Sequence, residues 1–460
     1  MGDKINEIYS REKTKGHGYV GLYFFSRKAF LPLDPLLIKD ILGKDFAHFY
    51  DRGIYYDEEN DPLSAHLFSI AGPKWKNLRA KLTPAYSPVK LKHMFDIILS
   101  CGRQMSDVIG EISETEGEVE IKEILARYST DVIGCCAFGL ECNTMRNPEA
   151  EFRQMGRRAF TQTVGDVLKT IIIRSFPSLA KCLGLGIFSS TVTTFFRKVV
   201  RETITYREIN NIQRRDFMQL LVELKNNGKI SEDNSDENKI NEEPGTALTI
   251  DEAAAQAFIF FLAGFETTST TTSFALFEMA SNSKIQQRAR EEALKVLSNH
   301  FGKITYDGLM EMKYLDTVVS ETLRKYPPAP VFLRKCTKRY PIPKTKAFLE
   351  EGQSVLIPCI GLQRDPEYFP DPDLFDPERF NEKNKENIVD GTFIPFGSGP
   401  RNCIGMRFAM IQSKIALVLC LVNYEFRLSS RTKLPLKMET KGIILTPIGG
   451  LWIKFVSRNK

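Results

Sequence analysis

The chain opens polar and turns apolar only gradually. Met1-Gly2-Asp3-Lys4-Ile5-Asn6-Glu7 holds no apolar run, so no stretch near the N-terminus could span a bilayer, and the layout is not that of a signal peptide. His17 to Phe25 is aromatic and β-prone, which predicts short strands. Asp34-Pro35 followed by Leu36-Leu37-Ile38-Lys39-Asp40-Ile41-Leu42 predicts a helix with an Asp cap and Pro in its first turn. Long helical patterns dominate from about 74 to 227. Asn226 to Gly245 interrupts them with Glu232, Asp233, Asp236, Glu237, Glu242 and Glu243 and almost no apolar side chain, the signature of an exposed polar loop. A long helix follows from Asp251 to Ala280, and Gly442 to Trp452 predicts a β-hairpin. Phe176 to Phe188 is apolar, punctuated by proline and glycine, and too short to cross a membrane; a buried loop and a lipid-facing patch are equally open. The expected fold is mainly α: one large helical domain over 1–460 with a smaller β-rich part.

Composition narrows the function classes. The 460 residues carry a net charge of +6, too mild to argue for nucleic acid. The charge is unevenly placed, however. From Lys74 to His93 the chain has Lys74, Lys76, Arg79, Lys81, Lys90 and Lys92 and no acid, a face suited to an acidic protein partner, although a solvated charged face is the plain alternative. Nine cysteines, none in C-x-x-C and none at zinc-like spacing with His, indicate free thiols in a reducing compartment.

One thiol stands apart. In Phe396-Gly397-Ser398-Gly399-Pro400-Arg401-Asn402-Cys403-Ile404-Gly405, glycines flank Cys403 on both sides. Glycine permits positive φ and close approach by another group. Such a turn suits a large flat metal cofactor whose iron the sulfur must reach, and its N–H groups can stabilise negative charge on sulfur. Arg401 is well placed for a carboxylate on the cofactor edge. A buried free cysteine in a turn is the competing reading. The run resembles the haem-binding loop of the cytochrome P450 family, F-x-x-G-x-R-x-C-x-G, with Phe396, Gly399, Arg401, Cys403 and Gly405 at every fixed position.

Further segments extend the resemblance in family order. Ala263-Gly264-Phe265-Glu266-Thr267-Thr268 puts poor helix formers in the middle of a long helix, which loosens its ladder and makes room for a flat ring beside Ala263 and Gly264. Ile259, Ala263 and Thr267 share one face, and Glu266 and Thr267 set an acid and a hydroxyl beside the gap, as proton delivery to iron-bound dioxygen requires. A kinked core helix is the bland alternative. The run is similar to the family's oxygen-activation motif, [AG]-G-x-[DE]-T-[TS]. Glu321-Thr322-Leu323-Arg324 is an E-x-x-R, which on any helix can be a surface ion pair; with Arg379 of Pro377-Glu378-Arg379-Phe380 the resemblance implies a buried structural cluster that locks the haem loop. Trp75 and Arg79 place two donors on one helix face. The resemblance makes these propionate partners, together with Arg334 and Arg401. The phrasing around Trp75 and around Arg215 to Leu221 looks most like insect microsomal family 6, related to vertebrate family 3.

The resemblance implies haem b buried between two long helices, Cys403 as the iron ligand, and Thr267 with Glu266 as the proton-delivery pair. An apolar pocket lined by Ile259, Leu262, Val331 and Phe332, with Ile444 to Thr446, and covered by the loop Gly53 to Phe68, implies lipophilic substrates such as plant toxins, insecticides or endogenous lipids. No flavin, nicotinamide or iron–sulfur motif is found. Electrons from NADPH would arrive through NADPH-cytochrome P450 reductase, with cytochrome b5 as a further candidate. The expected location is the cytosolic face of the endoplasmic reticulum, bound peripherally, because the family's usual N-terminal anchor is absent. Two smaller departures are Gln363 where many relatives have His, and Ala409 where Gly is common. The rival readings are a haem-thiolate protein that binds without oxygenating, and a haem-thiolate isomerase.

Overall fold

The computed structural model describes residues 2–24, 27–160, 164–230, 247–439 and 444–458. In chain order they form α1 (Gly2–Thr14), β1 (Tyr19–Phe24), β2 (Arg27–Pro32), α2 (Pro35–Leu42), α3 (Gly72–Leu82), α4 (Pro88–Thr115), β3 (Val119–Glu120) and α5 (Ile121–Ile133). Next come α6 (Glu151–Phe160), α7 (Val164–Ser175), α8 (Pro177–Cys182), α9 (Ser190–Ile209), α10 (Phe217–Asn227) and α11 (Ile250–Ser281). The rest are α12 (Ser283–Asn299), α13 (Tyr306–Glu311), α14 (Lys313–Lys325), β4 (Phe332–Lys335), β5 (Tyr340–Pro341), β6 (Phe348–Leu349), β7 (Ser354–Ile357), α15 (Cys359–Gln363), α16 (Met406–Asn423), β8 (Tyr424–Leu428) and β9 (Trp452–Ser457). By contacts the chain divides into two compact units, Met1–Asp51 with Leu99–Tyr128 and Glu266–Lys460, and Arg52–Ile98 with Ser129–Phe265.

The first unit holds the sheets. A four-stranded sheet runs β1-β2-β7-β4, antiparallel except where β2 meets β7. Beneath it, α2 buries Leu37, Ile38, Ile41 and Leu42 beside Phe30, Leu31 and Val355. The cap expected at Asp34 is present, its side chain accepting from Leu36 N–H at 2.9 Å; such a cap stabilises by about 1 kcal/mol. α16 is long and apolar enough to cross a membrane, yet most of it is buried as a core helix. Its mid-helix Lys414 is buried too and donates to Asp316 Oδ1 at 2.8 Å.

The second unit is helical, and its core is aromatic. Phe196 lies 4.9 Å from Phe258, Phe152 is 5.2 Å from Phe261, and Phe138 is 5.0 Å from Phe152, centroid to centroid. A single π turn, Gly134–Phe138, ends the α5 segment and delivers Phe138 into this cluster. A buried pair, Arg207–Asp216 at 2.6 Å, ties the end of α9 to the start of α10.

Several expectations need correction. The polar opening is a helix, α1, whose Ile5 and Tyr9 are buried one turn apart, Tyr9 donating to Asp365 Oδ2 at 2.7 Å. Half-buried Ile8 packs beside them, so three apolar residues make one short stripe on an otherwise polar helix, too short a period to read. Of the hairpin expected at 442–452, residues 442 and 443 lie outside the described residues; beyond them Pro447 bridges Met438, and a strand begins at Trp452. Most of the acidic 226–245 segment, residues 231–245, lies outside the described residues, as does Phe25. In the 176–188 stretch, Phe176, Leu179, Leu183 and Ile187 are exposed and Ala180 is buried.

Candidate active site

The Cys403 loop is a built turn. Gly397 and Gly399 have φ of 72° and 71°, the left-handed region where glycine is favoured. A Cβ on Gly399 would also run into the carbonyl of Leu42, so this glycine is required twice over. Cys403 N–H donates to the Phe396 carbonyl at 2.8 Å, and Gly397 N–H to Ile394 at 2.8 Å. α16 starts at Met406 behind a Gly405 cap, so the positive end of an 18-residue helix stands just beyond the thiol, a setting that favours thiolate.

Cys403 is exposed, whereas Cys101, Cys136, Cys336, Cys359 and Cys420 are buried. Burial pushes Cys420 up to about 12 and raises Cys136, Cys142 and Cys359 as well, which keeps them thiols. The expectation of free thiols holds for all nine cysteines. Phe396 is half-buried at the mouth of the turn and Arg401 is fully buried within it.

Arg334, on β4, supplies the test of fit. It is 3% exposed, its NH1 donates to the Leu333 carbonyl at 2.8 Å, and its Nε reaches no acceptor among the described residues. Burial pulls its guanidinium down to about 10, with no carboxylate to offset it; even so it stays charged at neutral pH. A buried cation without a counter-charge suits an anionic group supplied by a ligand. An accessible thiol in a glycine turn and a buried cation together fit an iron porphyrin with its propionates. Val331 and Phe332 precede Arg334 and are half-buried.

The E-x-x-R pair is no surface ion pair. Glu321 and Arg324 side chains are fully buried, with Nε to Oε2 at 2.6 Å and NH2 to Oε1 at 2.8 Å. Arg379 Nε lies 3.5 Å from Glu321 Oε1, and Asp376 N–H donates to the same oxygen at 2.9 Å. Arg324 further donates to the carbonyls of Gln363, Pro372 and Leu374 at 3.0, 2.9 and 3.3 Å. Burial pushes the Glu321 carboxyl up, opposed by Arg324 and Arg379. Gln363 completes the connection. Its amide donates to the carbonyls of Leu323 and Arg324 at 2.9 and 3.1 Å, and its Oε1 accepts from Ile394 N–H at 3.0 Å, two residues before Phe396. The sequence marks Gln363 only as a departure from His; its link to the loop spans 31 residues and leaves no local pattern.

On α11, Ile259, Leu262, Gly264, Glu266 and Thr267 are half-buried and Ala263 is exposed, between fully buried Ala253–Phe258 and Thr268–Met279. Ile259, Leu262, Ala263, Glu266 and Thr267 fall at i, i+3/i+4 and i+7/i+8, so they share one open face of an otherwise buried helix. The helix runs unbroken. Thr271, Thr272 and Ser273 hydroxyls donate back to the carbonyls of Thr267, Thr268 and Ser269 at 3.0, 2.9 and 2.6 Å. At Gly264 a Cβ would sit 2.6 Å from Ile133 Cδ1. Close packing on α5 therefore accounts for this glycine, and Ala263 carries the open face.

Glu266 Oε2 lies 3.5 Å from Lys122 Nζ, a partner the sequence did not indicate. In the second unit, Trp75 is buried and Arg79 half-buried on α3. Of the basic run, Lys74 is paired with Glu58 at 2.7 Å. The loop 53–68 is anchored by buried Asp61, which accepts from Ile187 and Phe188 N–H at 2.6 and 3.2 Å.

The first unit thus holds Cys403, Arg401, Phe396, Arg334, Val331, Phe332, Glu266, Thr267 and the Glu321–Arg324–Arg379 cluster; the second holds Trp75, Arg79, Ile259, Leu262, Ala263 and Gly264. Comparison with known proteins agrees with this chemistry. The family model for cytochrome P450 matches residues 1–455. The chain is 40% identical to cytochrome P450 6a2 of Drosophila melanogaster over 99% of its own length and 89% of the relative's. It is 42% identical to cytochrome P450 6a9 of the same fly, covering 96% and 86%, and 40% identical to cytochrome P450 6A1 of Musca domestica, covering 98% and 87%. With the thiol loop, the buried acid–guanidinium cluster and the open helix face in place, the chain belongs to the cytochrome P450 family of haem-thiolate monooxygenases.

Proposed function

We propose that this chain inserts one oxygen atom from O2 into lipophilic small molecules, using NADPH electrons delivered by a flavoprotein reductase. The observation that carries the reading is the accessible Cys403 thiol, held in a glycine turn ahead of α16. Cys403 would hold the haem iron, and Arg334, Arg401, Trp75 and Arg79 its propionates. The thiolate-bound haem supplies the activation of O2, one oxygen atom entering the substrate and the other leaving as water. The chain's own residues do the rest. Thr267 holds a proton at Oγ1 for delivery, and Glu266 replenishes it. Ile259, Leu262, Ala263, Val331 and Phe332 offer apolar surface that orients a lipophilic substrate and excludes water.

The exposed lysines of α3 and the start of α4 favour an acidic electron donor, which supports NADPH-cytochrome P450 reductase, with cytochrome b5 as a second donor. The exposed apolar side chains Phe176, Leu179, Leu183 and Ile187 support peripheral binding to the cytosolic face of the endoplasmic reticulum, where lipophilic substrates partition. The apolar residues proposed for the pocket support lipophilic substrates such as xenobiotics or endogenous lipids.

The test is the reduced carbon-monoxide spectrum of haem-loaded protein, read with NADPH consumption in the presence of reductase. The wild-type chain gives the strongly red-shifted thiolate band and Cys403→Ala abolishes it. A retained thiolate band in that variant overturns the ligand assignment. Absence of substrate-dependent NADPH use by wild type would favour a haem-thiolate binding protein or isomerase.

A further inference from the structure

Glu266 does not stand alone on its helix. Its Oε2 lies 3.5 Å from Nζ of Lys122, and the two side chains are only 22% and 16% exposed. Lys122 is the second residue of α5, where the positive end of the helix macrodipole disfavours a cation. Its ammonium also donates to Thr446 Oγ1 at 3.0 Å. The nearby carboxylates are engaged elsewhere. Glu120 Oε2 accepts from Glu123 N–H at 2.7 Å and its Oε1 from Leu451 N–H at 2.9 Å, while Glu123 pairs with Arg127 at 3.1 Å. A lysine set against its own helix dipole, two acids beside it committed, and its charge directed at a third acid across the sequence make a specific arrangement.

We propose that Lys122 is a positioning residue for the Glu266 carboxylate in proton delivery, with Thr446 fixing the ammonium. The proposal rests on the reading of Glu266 as the acid behind Thr267. A glutamate has three rotatable bonds, and a half-buried carboxylate without a fixed partner samples several rotamers. A partly desolvated ammonium restricts that set, because opposite charges interact more strongly away from bulk water. At 3.5 Å the contact is longer than a tight hydrogen bond, so Lys122 orients Glu266 by charge. Orientation without tight capture is what a group that must hand on a proton requires.

The experiment compares reductase-supported turnover of a 7-alkoxycoumarin by haem-loaded wild type, Lys122→Met, Lys122→Arg, Glu266→Gln and the Lys122→Met/Glu266→Gln pair, reading product and peroxide per NADPH. Crystal structures of the ferric Lys122 variants supply a readout apart from activity. Lys122→Met keeps the thiolate band but lowers product per NADPH about three- to tenfold, within the range of coupled neighbours, with peroxide rising to match. Lys122→Arg restores most of the yield, and Lys122→Met adds no loss once Glu266 is Gln. In the crystals the Glu266 carboxylate leaves its place beside residue 122 in the Met variant and keeps it in the Arg variant. Should the Met variant fail to fold, Lys122→Gln, which can still donate to Thr446, carries the same expectations. If Glu266→Gln retains full product yield, the reading of Glu266 fails and takes the proposal with it. If Glu266→Gln loses yield while Lys122→Met does not, if their losses multiply, or if Glu266 stays in place in the Met variant, the Lys122 assignment alone is overturned.

Discussion

Arg324 and Arg334 lie ten residues apart in one compact unit and are buried to nearly the same degree, yet the chain treats them in opposite ways. Arg324 has a bidentate carboxylate and three backbone carbonyls. Among the described residues Arg334 donates to one carbonyl, that of its own neighbour, and pairs with no carboxylate. Removing a charged group from water is costly unless another group answers it. For Arg324 the answer is encoded in the polypeptide, and the result is architecture. For Arg334 no described residue provides it, as a ligand-binding role would require. His66, in the other unit, shows a third outcome: burial pulls it down to about 3, so it gives up its charge.

Removing the encoded answer has the largest effect. Glu321→Ala leaves Arg324 buried beside Arg379 without its carboxylate, a loss of about 3–5 kcal/mol. The expected outcome is haem-free, aggregated protein on expression, and soluble holoprotein at normal yield would break the contrast at its stronger end. Arg334→Leu sharpens the other end. Replacing an uncompensated cation with an apolar side chain leaves a folded protein. It removes a charge-assisted bond worth about 1.5–3 kcal/mol to the bound haem, so haem transfer to an excess of acceptor globin accelerates about tenfold or more. Failure to fold would make Arg334 a structural residue like Arg324, and unchanged haem transfer would remove it from the propionate set.

The smallest effect belongs to His66. Its folded value lies below its unfolded value near 6.5, so the unfolded chain binds the proton first as pH falls. Stability contributed by the neutral ring is therefore fully present above about pH 6.5 and is lost on going down toward 3, by at most about 1.4 kcal/mol per pH unit. The melting temperature of the ferric holoprotein should drop between pH 6.5 and 5, and His66→Gln should flatten that drop. An equal drop in the variant would assign the effect to other groups.

The parts of the site legible in the sequence are those whose chemistry is written in adjacent residues. The Cys403 turn, the acid–hydroxyl pair at Glu266 and Thr267, and the i, i+3 spacing of Glu321 and Arg324 each fit within a few positions, and each sits in the expected kind of element. The helix after Asp34, the helical stretch from about 74 to 227 and the long helix from Asp251 were equally readable, because amphipathic spacing is local. What was hidden depends on distant contacts. Lys122 meets Thr446 across 324 positions, and the reason for Gly264 is Ile133 on another helix. Arg334 is buried while the other strand arginines, Arg27 and Arg427, are exposed, and nothing in the local pattern marks that difference. α1 was missed for a different reason: its core-facing stripe is only Ile5, Ile8 and Tyr9.

Gln363 carries a consequence for how the molecule responds to its surroundings. It couples the end of α14 to the approach of the thiol loop through three hydrogen bonds, donating two and accepting one. A primary amide does both at once and carries no charge at any physiological pH. An imidazole in the same place could match only part of this pattern in either neutral tautomer, and would lose its acceptor on protonation. In this chain, then, the mechanical link between the structural cluster and the metal-binding loop is indifferent to acidity, and acid sensitivity of haem retention must enter through other residues.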